Sequence, residues 1–414
     1  MSMVSSLIGI VLGFTAMSVL FALKAPLWLP LLVAALVMCI TTGGSWLLLQ
    51  VLTSATTSSS TYDLLVASYM IAALIYLYRV TGYTKLLGEE LVKVLRKPKL
   101  VVTVTPAVMG LLPIPGGALL SAPVVDSVGD SLGLSRKLKV FVNVWFRHVV
   151  FLAYPLNQAV ITAAVLAGIN VWSLVLRQLP AVLAMWLAGY LVAFRRAGSV
   201  SSTSVERSNP ATLAKVLSPI LVAVAIAAST SSILDRELIE GVPYTRYSML
   251  LGLAVAIALL LFFAKPSWLL VLKALASKQA IEVSLAAFSI VVLREAFVKA
   301  GGSVLVAGIV ENAGYTAKLF LLVAVPFMLS FSTGSPTVGV SIAIPVFQPA
   351  LSVGLREVSL LYTSNMLGYI GSPAHLCYVY TAQYFKTTLT EAYREVLVSI
   401  ALTMAAALLF YFFT

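Results

Sequence analysis

Charge is scarce in this sequence. Only 10% of its 414 residues are Asp, Glu, Lys or Arg, against about a quarter in a soluble domain, which excludes an ordinary soluble fold. Histidine and cysteine are scarcer, with two of each. Cys39 and Cys377 both lie in apolar runs, so no disulfide framework is expected, and the four residues show no metal-ligand spacing. No Walker loop, GxSxG elbow or HExxH helix is present, which argues against an ATP-driven pump and the common hydrolase classes. Acids are fewer than bases, leaving a net charge of +12. On a soluble chain that excess would point to nucleic acid. Here it fits basic cytoplasmic loops of a membrane protein, and no nucleic-acid partner is expected.

What the chain has is apolar surface: 60% hydrophobic residues and a mean hydropathy of +1.02. Apolar segments recur to the last residue, so the expected surroundings are a lipid bilayer and the expected class is an all-α, multi-pass protein of the inner or plasma membrane. Crossing the hydrocarbon takes about 20 apolar residues. Ten spans are predicted: Met3–Leu23, Trp28–Leu52, Tyr62–Tyr78, Val140–Gly168, Val171–Phe194, Leu213–Leu234, Tyr247–Ala264, Ile281–Phe297, Val358–Ala382 and Val396–Phe413. Leu100–Leu132 and Leu319–Leu355 read instead as re-entrant hairpins. With both termini outside, this arrangement puts most Lys and Arg residues on the cytoplasmic side, as the positive-inside rule requires.

The hairpin reading rests on local chemistry. Pro113 and Pro115 interrupt a helix because each lacks an N–H and crowds the preceding turn. Gly116 and Gly117 then admit backbone angles closed to other residues. The second interrupted run contains Ser332, Thr333, Gly334, Ser335, Pro336 and Thr337. Pro106 and Pro326, Asn143 and Asn365, and Pro155 and Pro373 recur at nearly constant offset. The chain therefore divides into an N-terminal repeat at 1–197 with its hairpin at 100–132, a Ser-rich cytoplasmic linker at 198–212, and a C-terminal repeat at 213–414 with its hairpin at 319–355. Five spans per repeat is an odd number, so the second repeat is inverted. Inverted repeats with broken helices are the architecture of secondary transporters.

Broken helices expose N–H groups where the returning arm starts, and the helix dipole makes those ends attractive to anions. Carbonyls freed at the same breaks, near Gly116, Asn143, Thr337 and Asn365, are candidate ligands for Na⁺ as a coupling ion. No other cofactor is expected. Val140–Gly168 carries Asn143, Arg147, His148 and Asn157. Arg147 either clamps an oxyanion through its fork or snorkels to the cytoplasmic face. His148 is a candidate proton relay. The matching late span carries Asn365, Ser372 and His375. Asp126 and Asp130, four apart on one helical face, bind a coupling cation or pair with Lys137; the pairing is the favoured reading. Asp63 and Glu282 read as acids near helix starts, favoured by the dipole. Glu89 and Glu90 among lysines mark an amphipathic surface helix.

Three stretches, Leu112-Pro113-Ile114-Pro115-Gly116-Gly117-Ala118, Trp145-Phe146-Arg147-His148 and Ser372-Pro373-Ala374-His375-Leu376-Cys377, resemble an uncharacterised prokaryotic family of integral membrane proteins. That family is grouped in the ion transporter superfamily, with divalent-anion:sodium symporters, gluconate-type permeases and arsenite permeases. The resemblance implies two inverted repeats whose hairpin tips meet substrate and Na⁺. In the symporters the tips carry Ser-Asn-Thr; here they read Pro-Ile-Pro-Gly-Gly and Ser-Thr-Gly-Ser-Pro-Thr.

The function expected is secondary active transport of a small anionic solute, an organic acid, coupled to Na⁺ or H⁺, by a hairpin core moving against a homodimeric scaffold. The runner-up is a cation/proton antiporter, which needs a buried acid and has Asp126 as its candidate. A membrane-embedded enzyme using Ser332 or Ser335 with His375 is a third class.

Overall fold

The structure is a computed structural model that describes residues 3–23, 25–95, 97–112, 117–195, 209–235, 247–302, 304–305, 308, 314–351 and 354–413. Among these residues there are helices and no strand. The N-terminal half contains α1 (Met3–Ala22), α2 (Trp28–Thr57), α3 (Ser59–Val80), α4 (Tyr83–Leu95), α5 (Pro98–Gly110), α6 (Ala118–Ser131), α7 (Arg136–Val149), α8 (Gln158–Ala167) and α9 (Val171–Phe194). After the linker come α10 (Pro210–Leu234), α11 (Tyr247–Ala264), α12 (Trp268–Leu275) and α13 (Lys278–Lys299). The chain then continues through α14 (Tyr315–Thr333), α15 (Pro336–Leu351), α16 (Leu355–Gly371), α17 (Leu376–Tyr384) and α18 (Leu389–Phe413).

The usual distribution of side chains is reversed. Leu176, Leu179, Leu183, Leu187 and Leu191 of α9 point outward, each half exposed or more, while Asn143, Arg147, His148, Asn365 and His375 are buried to 1% or less. An apolar outer belt around a polar centre is stable only where the surrounding medium is itself apolar. The protein is therefore a membrane-embedded helical protein.

Several expected spans differ in detail. Among the described residues, seven helices are long and apolar enough to cross a bilayer. Six are among the ten expected; the seventh, Tyr315–Thr333, is the ingoing arm of the second hairpin. Val140–Gly168 carries the interruption expected near Pro155. It breaks into α7, a 3-10 turn at Val150–Leu152 and α8. Val358–Ala382 likewise breaks between α16 and α17. In both cases a proline, Pro155 or Pro373, falls in the gap, where the missing N–H prevents helical continuation. α2 runs to Thr57 and turns at Gly44, which sits at φ +66°. The short α12 has no counterpart among the expected elements.

The arms of the first hairpin, α5 and α6, have 13 and 14 residues, about 20 Å each at 1.5 Å per residue, which is short of a hydrocarbon core of about 30 Å. The tip residues Pro113, Ile114, Pro115 and Gly116 lie outside the described residues, as does 198–208 of the linker expected at 198–212; the rest of that stretch already enters α10 at Pro210. The second hairpin closes tightly. Gly334 adopts φ +62° and donates its N–H to Ser330 O at 2.9 Å, a conformation that favours glycine.

Two exchanges hold the centre together. The returning arm α6 packs on α17, and the returning arm α15 packs on α8. Each hairpin therefore leans on the broken span of the other half. Around this centre, α2 packs on α1 and α13, and α3 on α13, while α10 and α11 pack together.

Candidate functional site

Arg147 shows how the first break is held. Its guanidinium donates through Nη1 to Met109 O at 2.9 Å and Gly117 O at 3.2 Å, and through Nη2 to Leu112 O at 2.9 Å. Met109 and Leu112 precede the tip and Gly117 follows it, so one side chain ties both sides of the interruption. Helix ends leave carbonyls without intrahelical partners, and a planar cation with several donors satisfies them at low-dielectric depth. Arg147 is 1% exposed, so it does not snorkel. Its fork is engaged by the main chain, while Nε has no hydrogen-bond partner.

Asn143 stands one turn earlier on α7. Its Oδ1 accepts from Ser121 Oγ at 2.6 Å, and its Nδ2 donates to Ala118 O at 2.8 Å and Thr381 Oγ1 at 3.3 Å. Asn365 on α16 accepts from Ser330 Oγ at 2.6 Å and donates to Pro336 O at 2.9 Å. Ser372 Oγ donates to Phe331 O and accepts from Ala374 N, securing the second span's break against α14. Asn157 Oδ1 caps α8 by accepting from Ala159 N at 2.8 Å.

Between these breaks lies a cavity of about 390 Å³, within the range of small-molecule sites. Of the expected residues, Arg147, Asn157, Gly334, Ser335, Pro336 and Thr337 line it. Ser335 Oγ caps α15 by accepting from Val338 N at 3.4 Å, so the cavity meets the start of a helix. Ser332 is exposed and Thr333 bonds back to Leu329 O; neither lines the cavity. Asn143, Asn365 and Ser372 stand behind its wall as braces, and Pro113, Pro115 and Gly116 lie outside the described residues. The remaining lining was not expected. Gln158, Gln279, Tyr369 and Cys377 add polar atoms, while Ile71, Ile75 and Val283 form an apolar wall from α3 and α13. Gln158 and Cys377 adjoin motifs visible in the sequence; Gln279 carries no local signal. None of the described lining residues is Asp or Glu.

His148 and His375, from different halves, meet edge to face with ring centroids 4.5 Å apart. His148 Nδ1 lies 2.6 Å from Val144 O, which fixes that nitrogen as the N–H donor and leaves Nε2 without a partner. Tyr369 packs on His375 at 4.1 Å. Sequence spacing showed no metal-ligand pattern, yet His148, His375 and Cys377 bring their ligating atoms within 4.8 Å of one another.

Asp126 and Asp130 are correctly placed on one face, but their partner is Lys139, at 2.6 and 2.7 Å, in place of Lys137, which pairs with Glu395 at 3.4 Å. Lys139 lies one turn into α7, facing α6, whereas Lys137 points toward α18.

These features define a helical membrane protein with two helical hairpins and two broken spans, in which both broken spans and the second hairpin tip line a cavity. The chain is similar in fold to the solved structure of the YdaH transporter of Alcanivorax borkumensis, at TM-score 0.64 and 13% identity, with 96% of this chain and 97% of that chain covered. The chain belongs to the DUF401 family, described as proteins of unknown function, which matches residues 4–413. No curated protein matches the sequence.

Proposed function

We propose that this protein is a secondary active transporter of a small organic anion, coupled to Na⁺ or H⁺, with its substrate held in the cavity between the second hairpin tip and Arg147. The observation that carries the reading is the cavity itself. A buried guanidinium and a helix start capped by Ser335 share its wall, and the described lining holds no carboxylate. Positive charge and main-chain dipoles with no opposing acid favour an anion over a cation. The apolar wall from Ile71, Ile75 and Val283 accommodates a hydrocarbon body beside the charged head.

Arg147 attracts the anion chiefly by its field, because its fork already serves Met109, Leu112 and Gly117. The reading further places the chain in the ion transporter superfamily, with two inverted repeats, re-entrant hairpins and a homodimeric scaffold. The similarity to a transporter's structure and the short arms of the first hairpin support it. The antiporter alternative needs a buried acid, and its candidate Asp126 has a side chain 43% exposed and paired with Lys139. For the enzyme alternative, Ser335 serves as a helix cap and Ser332 is exposed.

A thermal-shift screen of organic anions, with and without Na⁺, tests the proposal. A ligand at 100 times its Kd stabilises the folded state by about 2.7 kcal/mol. One class of anion is expected to raise the melting temperature, and Thr337→Trp is expected to abolish that shift. Stabilisation by Na⁺ alone with no anion responding would overturn the anion reading.

A further inference from the structure

Three of the chain's four His and Cys residues come from positions far apart in sequence and converge at the interface of the two broken spans. His148 closes α7, while His375 and Cys377 open α17. His148 and His375 are fully buried and Cys377 is 6% exposed. A buried polar atom without a partner is costly, and this spot holds three: His148 Nε2 and both ring nitrogens of His375. His148 has the tautomer a metal ligand needs, with Nδ1–H donated to the Val144 carbonyl and the Nε2 lone pair free. Cys377 reaches the cavity wall, which supplies an entry path.

We propose that His148, His375 and Cys377 form a three-coordinate site for a monovalent thiophilic cation, Cu⁺, that clips the two broken spans together. Ligand type argues for the metal. Two imidazoles and a thiolate are soft to borderline donors, which select Cu⁺ and zinc and are poor ligands for Na⁺ or Mg²⁺. Charge argues for the monovalent ion. Cu⁺ with one thiolate is neutral, whereas Zn²⁺ would leave a net positive charge on the wall that already holds Arg147. Geometry fits with small adjustment. For three atoms within 4.8 Å of one another, a central point lies at most about 2.8 Å from each, no more than ~0.5–0.8 Å longer than typical metal–S and metal–N bonds for a d¹⁰ ion. Rotation of the His375 ring supplies much of that change. On binding, the Cys377 thiol releases its proton to the cavity and copper keeps its oxidation state.

The test titrates the full-length protein in nanodiscs, without oxygen, with Cu⁺ in competition with a chromophoric Cu⁺ chelator. One Cu⁺ withheld per chain is expected. Cys377→Ser and His375→Ala should each weaken retention by at least about a hundredfold, above the 10–100-fold typical of losing an outer-shell partner, while Cys39→Ser leaves it intact. Zn²⁺ should bind far more weakly. X-ray absorption of copper-loaded wild-type protein needs no variant and should show two nitrogen and one sulfur neighbours. No retained copper, retention that survives both ligand substitutions, a copper shell without sulfur, or Zn²⁺ bound as tightly as Cu⁺ overturns the proposal.

Discussion

Asn143 and Asn365 do the same work in the two halves of the chain. Each Oδ1 accepts a serine hydroxyl at 2.6 Å, and each Nδ2 donates to the carbonyl of the residue that opens a returning arm, Ala118 or Pro336. The serine differs in origin: Ser121 lies on the returning arm of its hairpin and Ser330 on the ingoing arm. The breaks are thus tied to the neighbouring broken span by equivalent amides reached through different local routes.

Asn143→Ala removes three buried bonds and Asn365→Ala two, leaving the neighbouring serine hydroxyl and main-chain carbonyl with fewer partners. Each lost bond is worth about 0.5–1.5 kcal/mol. Asn143→Ala and Asn365→Ala should each lower the melting temperature in detergent, and Asn365→Asp should also do so, because a carboxylate would face the Pro336 carbonyl. Unchanged melting of all three would contradict the bracing role.

Arg147→Lys keeps the charge but loses the fork. A lysine ammonium is a compact point charge that cannot span Met109, Leu112 and Gly117 as the planar guanidinium does. The variant should lose about 3 kcal/mol, in the range of a hydrogen bond to a charged group, and lose uptake. Arg147→Met should be worse, since the Leu112 carbonyl then loses its Arg147 donor and the Met109 and Gly117 carbonyls keep only their main-chain donors, Leu112 N and Leu120 N. Chemical denaturation in micelles followed by tryptophan fluorescence distinguishes the series.

The tight second tip makes its own demand. A Cβ at Gly339 would collide with Asn365 Oδ1 and Ser330 Oγ, and Gly334 at φ +62° would incur about 1–2 kcal/mol as an L-residue. Gly339→Ala and Gly334→Ala are expected to reduce transport more than expression, with Gly339→Ala the more damaging to stability. Normal uptake by both would show that the tip tolerates rearrangement.

Much of this was legible locally. Pro155 and Pro373 mark their interruptions because proline's effect on a helix needs no tertiary context, and the Asn143–Asn365 correspondence follows from a nearly constant offset. The task of Arg147 was not legible, since the carbonyls it holds come from a different helix. Nor was the His148–His375–Cys377 cluster, whose members are brought together by the packing of α17 beside α7. The apolar wall of the cavity belongs to α3 and α13, where Ile71, Ile75 and Val283 look like any lipid-facing residue. Lys139 displaced Lys137 as partner of Asp126 because helix phase, not proximity in sequence, decides which lysine faces α6.

A pH dependence is expected at the amphipathic α4. The Lys93 ammonium, with the Asn209 N–H, holds the Glu90 carboxyl below the usual carboxylate range. A depressed folded-state pKa contributes stability that is present above the unfolded value and is lost as pH falls through the folded one. Glu90→Gln should therefore melt below wild type at neutral pH, and the gap should close in acid. A gap that widens on acidification would contradict the assignment.

The most direct measurement of the central claim is uptake of the anion identified by thermal shift into proteoliposomes, with an imposed Na⁺ or proton gradient. Accumulation above the outside concentration is expected, with collapse when an ionophore dissipates the gradient and loss of uptake in Thr337→Trp protein that still folds. Solute that never exceeds equilibrium under either gradient, or full uptake by the Thr337→Trp protein, would contradict that claim.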